Sequence, residues 1–308
     1  VSPAITGSTI RVYYSRSTSS TPCLVNGTET LPSTGAAQTF QWYTLTATSI
    51  SSFKLTHDFS GESYLAAIEV DGKMLVDSGV TPATNVPSIA STVRANPSAG
   101  FSIVTATASS AGDTIGHGLN ASPSLIIAKR TNATSHWPVY HSSVGANGFT
   151  YLNLTNAAGT GSDFWNNVTP TSSVFTVGSD STVSGGSAVF YCFAPVEGYS
   201  AMGSYEGNGD ADGPFVFTGF KPAFLLTKWI DGIDQWNIYD VKRSTFNVTD
   251  DILRPNYDYG ETSGSAVDAI DILSNGFKIR ASNQNINAAS TYIYAAFAEH
   301  PFKTSRAR

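Results

Sequence analysis

Apolar and polar residues alternate along much of the chain with a period of two, which is typical of β-strands that bury one face. The alternation is plain at Ile10, Val12 and Tyr14. Asp71 and Gly72 separate two further runs, YLAAIEV and KMLV, and an Asp-Gly pair supplies the positive φ angles of a type I′ turn. These runs predict a β-hairpin. No segment sustains the apolar spacing of an amphipathic helix, so the pattern predicts an all-β fold.

The second part of the chain carries one pattern twice. PSLIIAKRTNATSHWPVYH (residues 123–141) matches PAFLLTKWIDGIDQWNIYD (222–240), 99 positions later. Further on, VFTVGSD matches GFKIRAS, GSAVFYCFAP matches STYIYAAFAE, and the offset grows only to 104. The insertions therefore fall between strands, where loops tolerate them. The sequence predicts two copies of one β-module, copy 1 and copy 2.

Breaker residues mark the module boundaries. The stretch GVTPATNVPSIASTVRANPSAG (79–100) contains three prolines and is the best linker candidate. We expect three modules, at 1–89, 90–197 (copy 1) and 198–308 (copy 2). The predicted fold is all-β, with three antiparallel β-sandwich or jelly-roll-like modules in tandem, of which the second and third are repeats of each other.

The two Trp-x-x-Tyr segments each predict a strand with two unlike faces. Trp137, Val139 and His141 point to one side, and Tyr140 points to the other. Trp236 and Tyr239 repeat this arrangement in copy 2. Burial is the commonest use of a tryptophan, so we interpret the Trp face as core, with ligand stacking as the alternative. The tyrosine face is then the better candidate for exposure.

Composition narrows the function classes. Charged residues make up 13% of the 308 residues and aromatic residues 12%, which suits short strands and polar turns. The net charge of −6, without a run of Lys or Arg, argues against nucleic acid as a partner. No apolar window is long enough to cross a membrane. The only cysteines, Cys23 and Cys192, are predicted to be buried thiols, with a single disulfide as the alternative.

The stretch EGNGDADG (206–213) resembles the opening of a calcium loop. Asn208, Asp210 and Asp212 are alternate oxygen ligands before a glycine, which makes them a candidate metal site. Gly219 stands where the twelfth-position Glu is expected. A polar hairpin turn is therefore the favoured interpretation, and we expect no cofactor, with calcium as the alternative.

Acidic and aromatic residues cluster in the copy 2 loops. Trp229 stands close in sequence to five carboxylates: Asp231, Asp234, Asp240, Asp250 and Asp251. Solvated loop charge is the favoured interpretation of these residues. The alternatives are sugar binding beside the aromatic ring and hydrolysis of glycosides by a pair of the acids. No catalytic motif occurs, and the five histidines have no metal-ligand spacing. We therefore expect a protein that is not an enzyme. The candidate ligand contacts are Tyr140, Trp229, Asp231, Asp234 and Tyr239.

Several long phrases carry a family resemblance. GFSIVTATASSAGDTIGHGLNASPSLIIAKR, CFAPVEGYSAMGSYEGNGDADGPFVFTGFKPAF and TYIYAAFAEHPFKTSRAR resemble repeated C-terminal modules of virion structural proteins from tailed bacteriophages, especially marine ones. YLAAIEVDGKMLVD is similar to a small β-module that precedes them. The resemblance covers 100–308 and implies an all-β, homo-oligomeric component of the virion surface, with a trimer favoured, and no catalytic residues to carry over.

The first hypothesis is a tail-fibre or host-recognition adhesin that binds a surface glycan or receptor of the host and contacts other virion proteins. Repeated weak modules on an oligomer gain avidity, which suits adhesion to a dense glycan. The alternative is a capsid-decoration or head-fibre protein that stabilises the particle. A polysaccharide depolymerase ranks last.

Overall fold

The computed structural model describes residues 5–16, 23–32, 40–54, 63–71, 73–75 and 87–300. The chain divides into two compact units, Val1–Thr81 and Pro82–Arg308, and both copies of the repeat lie in the second unit. Every strand pairing is antiparallel, and the only α-helices among the described residues are two single turns. The predicted all-β fold is confirmed.

The first unit is built from three small sheets, in the orders β5-β2-β8-β9, β4-β3-β7 and β1-β6. The predicted hairpin is confirmed, because β8 pairs with β9 through Val70 and Lys73, and Asp71 has a φ of +49°. Gly72 lies outside the described residues. The strands are β1 Ile5–Thr6, β2 Ile10–Arg16, β3 Leu24–Val25, β4 Glu29–Thr30, β5 Gln41–Thr44, β6 Ser49–Ile50, β7 Phe53–Lys54, β8 Ser63–Val70 and β9 Lys73–Leu75.

The core of the first unit follows the predicted alternation. Ile10, Val12 and Tyr14 of β2 are fully buried. Arg11, between them, forms an ion pair with Glu69 at 2.6 Å on the opposite face. The period-two pattern thus separates a packed face from a solvated one.

Copy 1 forms a seven-stranded sheet in the order β10-β11-β18-β13-β14-β15-β16, faced by the small sheet β12-β17. A 3₁₀ turn at Pro97–Ala99 joins the first two strands. The elements are β10 Ser91–Asn96, β11 Phe101–Ala108, β12 Thr114–Gly116, β13 Leu125–Arg130, β14 Pro138–His141, β15 Gly148–Tyr151, β16 Gly159–Thr160, β17 Val174–Thr176, α1 Ser181–Ser184 and β18 Gly186–Phe193.

Copy 2 forms a four-stranded sheet in the order β19-β25-β21-β22, faced by the sheet β20-β24-β23. A 3₁₀ turn lies at Ala266–Asp268. The elements are β19 Ser200–Glu206, β20 Phe215–Phe217, β21 Pro222–Trp229, β22 Trp236–Asp240, β23 Ile270–Leu273, β24 Gly276–Ile279, α2 Gln284–Asn287 and β25 Thr291–Ala298.

The two copies share one topology. The order β11-β18-β13-β14 in copy 1 corresponds to β19-β25-β21-β22 in copy 2, and the pair β12-β17 corresponds to β20-β24. Even the single helical turn recurs before the last strand, capped by Asp180 in copy 1 and Asn283 in copy 2. Each copy has its own core between its two sheets.

The outer faces of the two large sheets pack against each other. Leu125 and Val139 of copy 1 meet Leu226, Trp236 and Ile293 of copy 2 in one apolar cluster. This face is therefore buried in both copies, as predicted for the Trp face; Trp236 is 2% exposed, and Trp137, just before β14, is half-buried. Beside this contact lies a partly open apolar pocket of about 210 Å³, lined by residues of both copies.

Hydrogen bonds also join the copies. The 151–158 segment of copy 1 lies along the 228–236 segment of copy 2, and buried side chains contribute to the contact. The inter-copy bonds run from Trp236 Nε1 to Tyr151 O, from Asp234 N and Lys228 Nζ to Thr155 O, from Ala158 N to Ile230 O, and between His141 Nε2 and Tyr294 O. Copy 1 and copy 2 therefore form one scaffold.

One part of the predicted linker is wrong. Residues 79–86 lie outside the described residues, but Ser91–Asn96 form β10, which pairs with β11 along its whole length. Pro87 and Pro97 flank this strand without interrupting it, so the backbone donors of 91–96 remain available. Val93 of β10 packs on the copy 1 core.

Candidate functional site

Three of the five predicted ligand contacts lie at the end of β21 and on the loop of copy 2 that follows it: Trp229 is the last residue of the strand, and Asp231 and Asp234 lie on the loop. Trp229 Nε1 donates a hydrogen bond to Ser290 Oγ at 2.8 Å, and Asp231 Oδ2 accepts from the same hydroxyl at 2.7 Å. Asp231 also accepts from Thr291 N, and these bonds lower the pKa of its carboxyl. Trp229 is half-buried and stacks on Tyr292. The structure brings Trp229 and Asp231 together, with Trp229 largely committed to packing.

Asp234 lies on the same loop at the contact with copy 1. Its backbone N–H donates to Thr155 O, and its carboxylate accepts from Gln235 N. Lys228 lies nearby, fully buried, with its Nζ donating to Thr155 O and Trp229 O. Burial lowers the pKa of Lys228 from 10.5 to about 8, although Asp234 opposes the shift.

The prediction that Tyr140 and Tyr239 are exposed is wrong. They are 2% and 0% exposed, because each points into the core of its own copy while the Trp face packs against the other copy. Tyr239 Oη donates to Asp268 O at 2.8 Å. Burial raises the pKa of both phenols. Neither side chain can reach a ligand at the surface, so we do not carry them forward as contacts.

The candidate calcium residues form a self-contained turn. Asn208 Oδ1 accepts from Asp210 N, and Asp210 Oδ1 accepts from Asp212 N. Asp212 pairs with Lys278 Nζ at 2.9 Å, which lowers the pKa of its carboxyl. Across the described part of the chain, no group of three or more His, Cys, Asp or Glu side chains could hold a metal ion. The three residues form a polar turn, as favoured, but the turn is not a hairpin, because it joins β19 of the large sheet to β20 of the facing sheet and these two strands do not pair.

The acidic residues near these loops have structural partners. Asp240 pairs with Arg243 at 2.5 Å, and Asp251 Oδ2 accepts from Ser244 Oγ at 2.8 Å. The pKa of Asp240 is lowered, although its burial opposes the shift. A glycosidase acid needs a raised pKa. Among the acidic residues that the structure describes, a raised pKa occurs at Asp268, whose carboxyl is buried and paired with Arg254.

Sequence reasoning missed two tyrosines that are exposed. Tyr257 and Tyr259 are 41% and 70% exposed, and their ring centroids lie 4.2 Å apart in an edge-to-face pair. Their phenols interact, which raises the pKa of Tyr257. The signal was present in RPNYDYGE, a polar stretch with two rings and no repeated counterpart in copy 1. Because this stretch has no strand periodicity, its aromatic residues have no predicted place in a hydrophobic core.

The loop that carries these rings is fixed at its base. Arg254 Nη2 pairs with Asp268 Oδ2 at 2.9 Å, and Arg254 Nη1 donates to Thr262 Oγ1. Asn256 accepts from Trp236 N and donates to Gln235 Oε1. The Asn256–Gln235 bond places the tyrosine loop beside the Asp231–Gln235 loop. We call residues 231–235 and 254–262 together the copy 2 loop surface.

Exposed rings are unevenly distributed between the copies. Within copy 1, the large exposed apolar side chains among described residues are Ile103 and Val168. Copy 2 exposes Phe215, Phe217, Phe246, Tyr257 and Tyr259. The first unit has its own partly exposed ring contact, between Tyr13 and Trp42. Within the described residues of the second unit, the large exposed rings belong to copy 2, which also exposes aliphatic side chains such as Ile233.

Residues 31–301 match the model of a family described as Domain of unknown function (DUF7483). The chain belongs to this family. The DUF7483 match includes part of the first unit and both copies of the repeat, so the duplicated scaffold lies within the family domain. No curated protein and no solved structure matches the chain. In the part that the structure describes, no helix has the length and apolar character needed to cross a bilayer.

Proposed function

We propose that this DUF7483 chain is a non-catalytic recognition protein of a phage virion surface, of the tail-fibre or adhesin type, and that its copy 2 loop surface binds a glycan of the host cell. The observation that carries the proposal is the exposed Tyr257–Tyr259 pair on a fixed loop base. Contiguous exposed apolar surface often marks an interaction site, and tyrosine is enriched among the residues that dominate binding.

The chemistry of this surface fits a carbohydrate. A tyrosine offers an apolar ring face and a hydroxyl that donates and accepts hydrogen bonds, which matches the mixed faces of a sugar ring. The neighbouring loop of the same surface carries carboxylates at Asp231 and Asp234 and an amide at Gln235, and Gln235 accepts a hydrogen bond from Asn256 of the tyrosine loop. Since the bonds of Arg254 and Asn256 hold the loop in place, little conformational entropy is lost on binding.

The virion placement rests on the sequence resemblance to phage structural proteins and is part of the proposal. A single loop surface of this size implies weak binding by each site. Several copies on an oligomer would then supply the avidity that adhesion requires.

The test is adhesion of labelled oligomeric protein to host cells, in competition with their isolated surface polysaccharide. We expect saturable binding that the polysaccharide inhibits, and at least a tenfold loss in a Tyr257→Ala, Tyr259→Ala double variant. Phe217→Ala, which removes an equally exposed ring from a different sheet, is the matched control and should bind normally. Adhesion unchanged in the double variant, or lost instead in Trp42→Ala of the first unit, would refute this site.

A particle-stabilising function is the second candidate. One feature favours it specifically: copy 2 exposes Phe215 and Phe217 on an edge strand, which is a common form of protein-binding surface.

A further inference from the structure

Copy 1 has a segment that copy 2 lacks. Residues 87–96 cross the small sheet of copy 1 and then form β10, the outermost strand of the large sheet. In copy 2, the chain enters β19 directly from Val196, whose backbone bonds only the first residue of that strand, Ser200. The preceding strand of the chain is β18, at the centre of the copy 1 sheet, so it cannot also serve copy 2.

The segment covers two edges in copy 1. Ser88 N donates to Thr114 O at 3.0 Å, and Ser91 Oγ donates to Gly116 O, along the free side of β12. Beyond these contacts, Thr92 and Arg94 lie opposite Thr105 and Ile103 of β11. One extended peptide thus caps the small sheet and extends the large one.

No described segment of the chain covers the two corresponding edges in copy 2. There, β20 has a partner strand on one side only, and β19 pairs with β25 alone apart from the bridge at Ser200. Since Ser200 points its backbone groups to the open side, the alternate residues Met202, Ser204 and Glu206 do so as well. Unpaired strand edges of this kind accept a further strand.

The side chains beside these edges also differ between the two copies. In copy 1, Gly116 has no room for a side chain, because an added β-carbon would lie 2.9 Å from Pro87 Cγ. Gly118 is similarly close to Val93 and Ala95. In copy 2, Phe217 replaces Gly116 and is 66% exposed. The face that Pro87–Ala95 covers in copy 1 is therefore an uncovered aromatic face in copy 2.

We propose that these edges of copy 2 bind an extended segment of a different polypeptide, added antiparallel to β19 and reaching β20. Copy 1 defines its chemistry: small and β-branched apolar residues at alternate positions, as in Ile89, Val93 and Ala95, without negative charge. Residues 87–96 of the chain itself cannot fill both sites. Each chain has two such sites, one in each copy, and a single 87–96 segment. If that segment moved from copy 1 to a copy 2 site, in the same chain or in another, it would leave its copy 1 site empty. The proposal is independent of glycan binding.

The probe is a fluorescein-labelled peptide of residues 87–96, PSIASTVRAN, titrated into the full chain. We expect saturable binding and slowed amide exchange at Met202, Ser204 and Glu206. Ser204→Pro should weaken binding at least tenfold, because proline removes a donor on the open edge and blocks the added strand. A peptide with Asp at positions 93 and 95 is the control and should not bind.

A second measurement does not depend on folding of the variant. Peptide N-methylated at Thr92 and Arg94 should fail to bind the unaltered chain, because those amides face the paired strand in copy 1. Binding that survives N-methylation, or protection confined to β11 of copy 1, would overturn the proposal. So would self-association that Ser204→Pro abolishes, since the occupant would then be a second copy of the chain. Normal adhesion to host cells by Ser204→Pro would leave the glycan proposal intact and keep the two tests separate.

Discussion

Trp236 of copy 2 donates its indole Nε1–H to the backbone carbonyl of Tyr151 in copy 1, at 2.8 Å. The ring is 2% exposed and belongs to the apolar cluster between the copies. Trp236 therefore packs in the contact between the copies and also fixes how one copy is oriented on the other, because its donor must face one particular carbonyl. The two copies act as a single scaffold through such contacts.

Removal of this ring should be costly. We expect Trp236→Ala to lower the free energy of unfolding by about 3 to 5 kcal/mol, the usual cost of deleting a buried aromatic side chain. Trp236→Phe keeps most of the packing but removes the indole donor. The Tyr151 carbonyl then retains only the longer bond from Leu154 N, so we expect a loss of about 1 kcal/mol. Urea unfolding measures both. Trp137→Ala, at a half-buried ring, is the control and should cost less; equal costs at the two positions would contradict the scaffold role of Trp236.

The strands and the duplication could be predicted because each depends on local pattern. Alternation at Ile10, Val12 and Tyr14 and the Asp71 turn determined their strands, and the matched phrases determined equal topology in both copies. Strand β10 could not be predicted so easily, because its flanking prolines resemble those of a linker. What holds β10 is tertiary pairing with β11, which the local sequence does not reveal.

The site was harder to predict for the same reason. Period two correctly placed Val139 and Tyr140 on opposite faces, yet it could not show that both faces are buried. That depends on the packing of one copy on the other. Tyr257 and Tyr259 lie outside any periodic segment. The one indication in the sequence that they are exposed is that neither has a predicted position in the core. The sequence interpretation of Cys23 and Cys192 is confirmed, as both are buried thiols, and burial raises the pKa of Cys192 to about 12.

Acid should destabilise the contact between the copies through His141. Its Nε2 bonds Tyr294 O, its Nδ1 accepts from Ser143 N, and burial lowers its pKa from 6.5 to about 4. The unfolded chain therefore binds a proton at a higher pH than the folded chain does. The contribution of His141 to the free energy of unfolding is fully present above pH 6.5 and is lost as the pH drops to 4. We expect a loss of about 3 kcal/mol from this residue.

The measurement is the unfolding free energy between pH 7 and 4 in the native chain and in His141→Gln. The variant should have a shallower dependence on pH. His117→Gln is the comparison variant. His117 is also buried with a lowered pKa but bonds Thr171 O within copy 1, so this variant should likewise have a shallower dependence on pH while the contribution of His141 remains. An unchanged slope in His141→Gln would show that the imidazole is not held neutral at this contact.

Lys228 should affect the stability of the protein at alkaline pH. Its folded pKa of about 8 lies below the ordinary 10.5, so the unfolded chain retains the proton longer. Stability contributed by this residue should rise, by about 3 kcal/mol, as the pH increases from 8 to 10.5. Lys228→Met should lack that rise. Comparison of urea unfolding for the two proteins isolates the effect, and parallel profiles would contradict a buried, desolvated ammonium.

Calcium should not stabilise the Asn208–Asp212 turn. Its oxygens already accept backbone donors, and Lys278 lies beside Asp212 as a resident positive charge. We expect the same melting temperature in millimolar calcium and in excess chelator. Calorimetric uptake of calcium at micromolar concentration, lost in Asp210→Ala and Asp212→Ala, would reverse this interpretation.

We propose that the copy 2 loop surface is the part of the molecule that binds the host glycan. Hydrogen–deuterium exchange of the full chain, with and without the isolated host surface polysaccharide, tests this most directly. We expect slower exchange in peptides that span 231–235 and 254–262, and unchanged exchange in the corresponding copy 1 segments. Protection confined to the first unit or to copy 1, at polysaccharide concentrations that block adhesion, would contradict it.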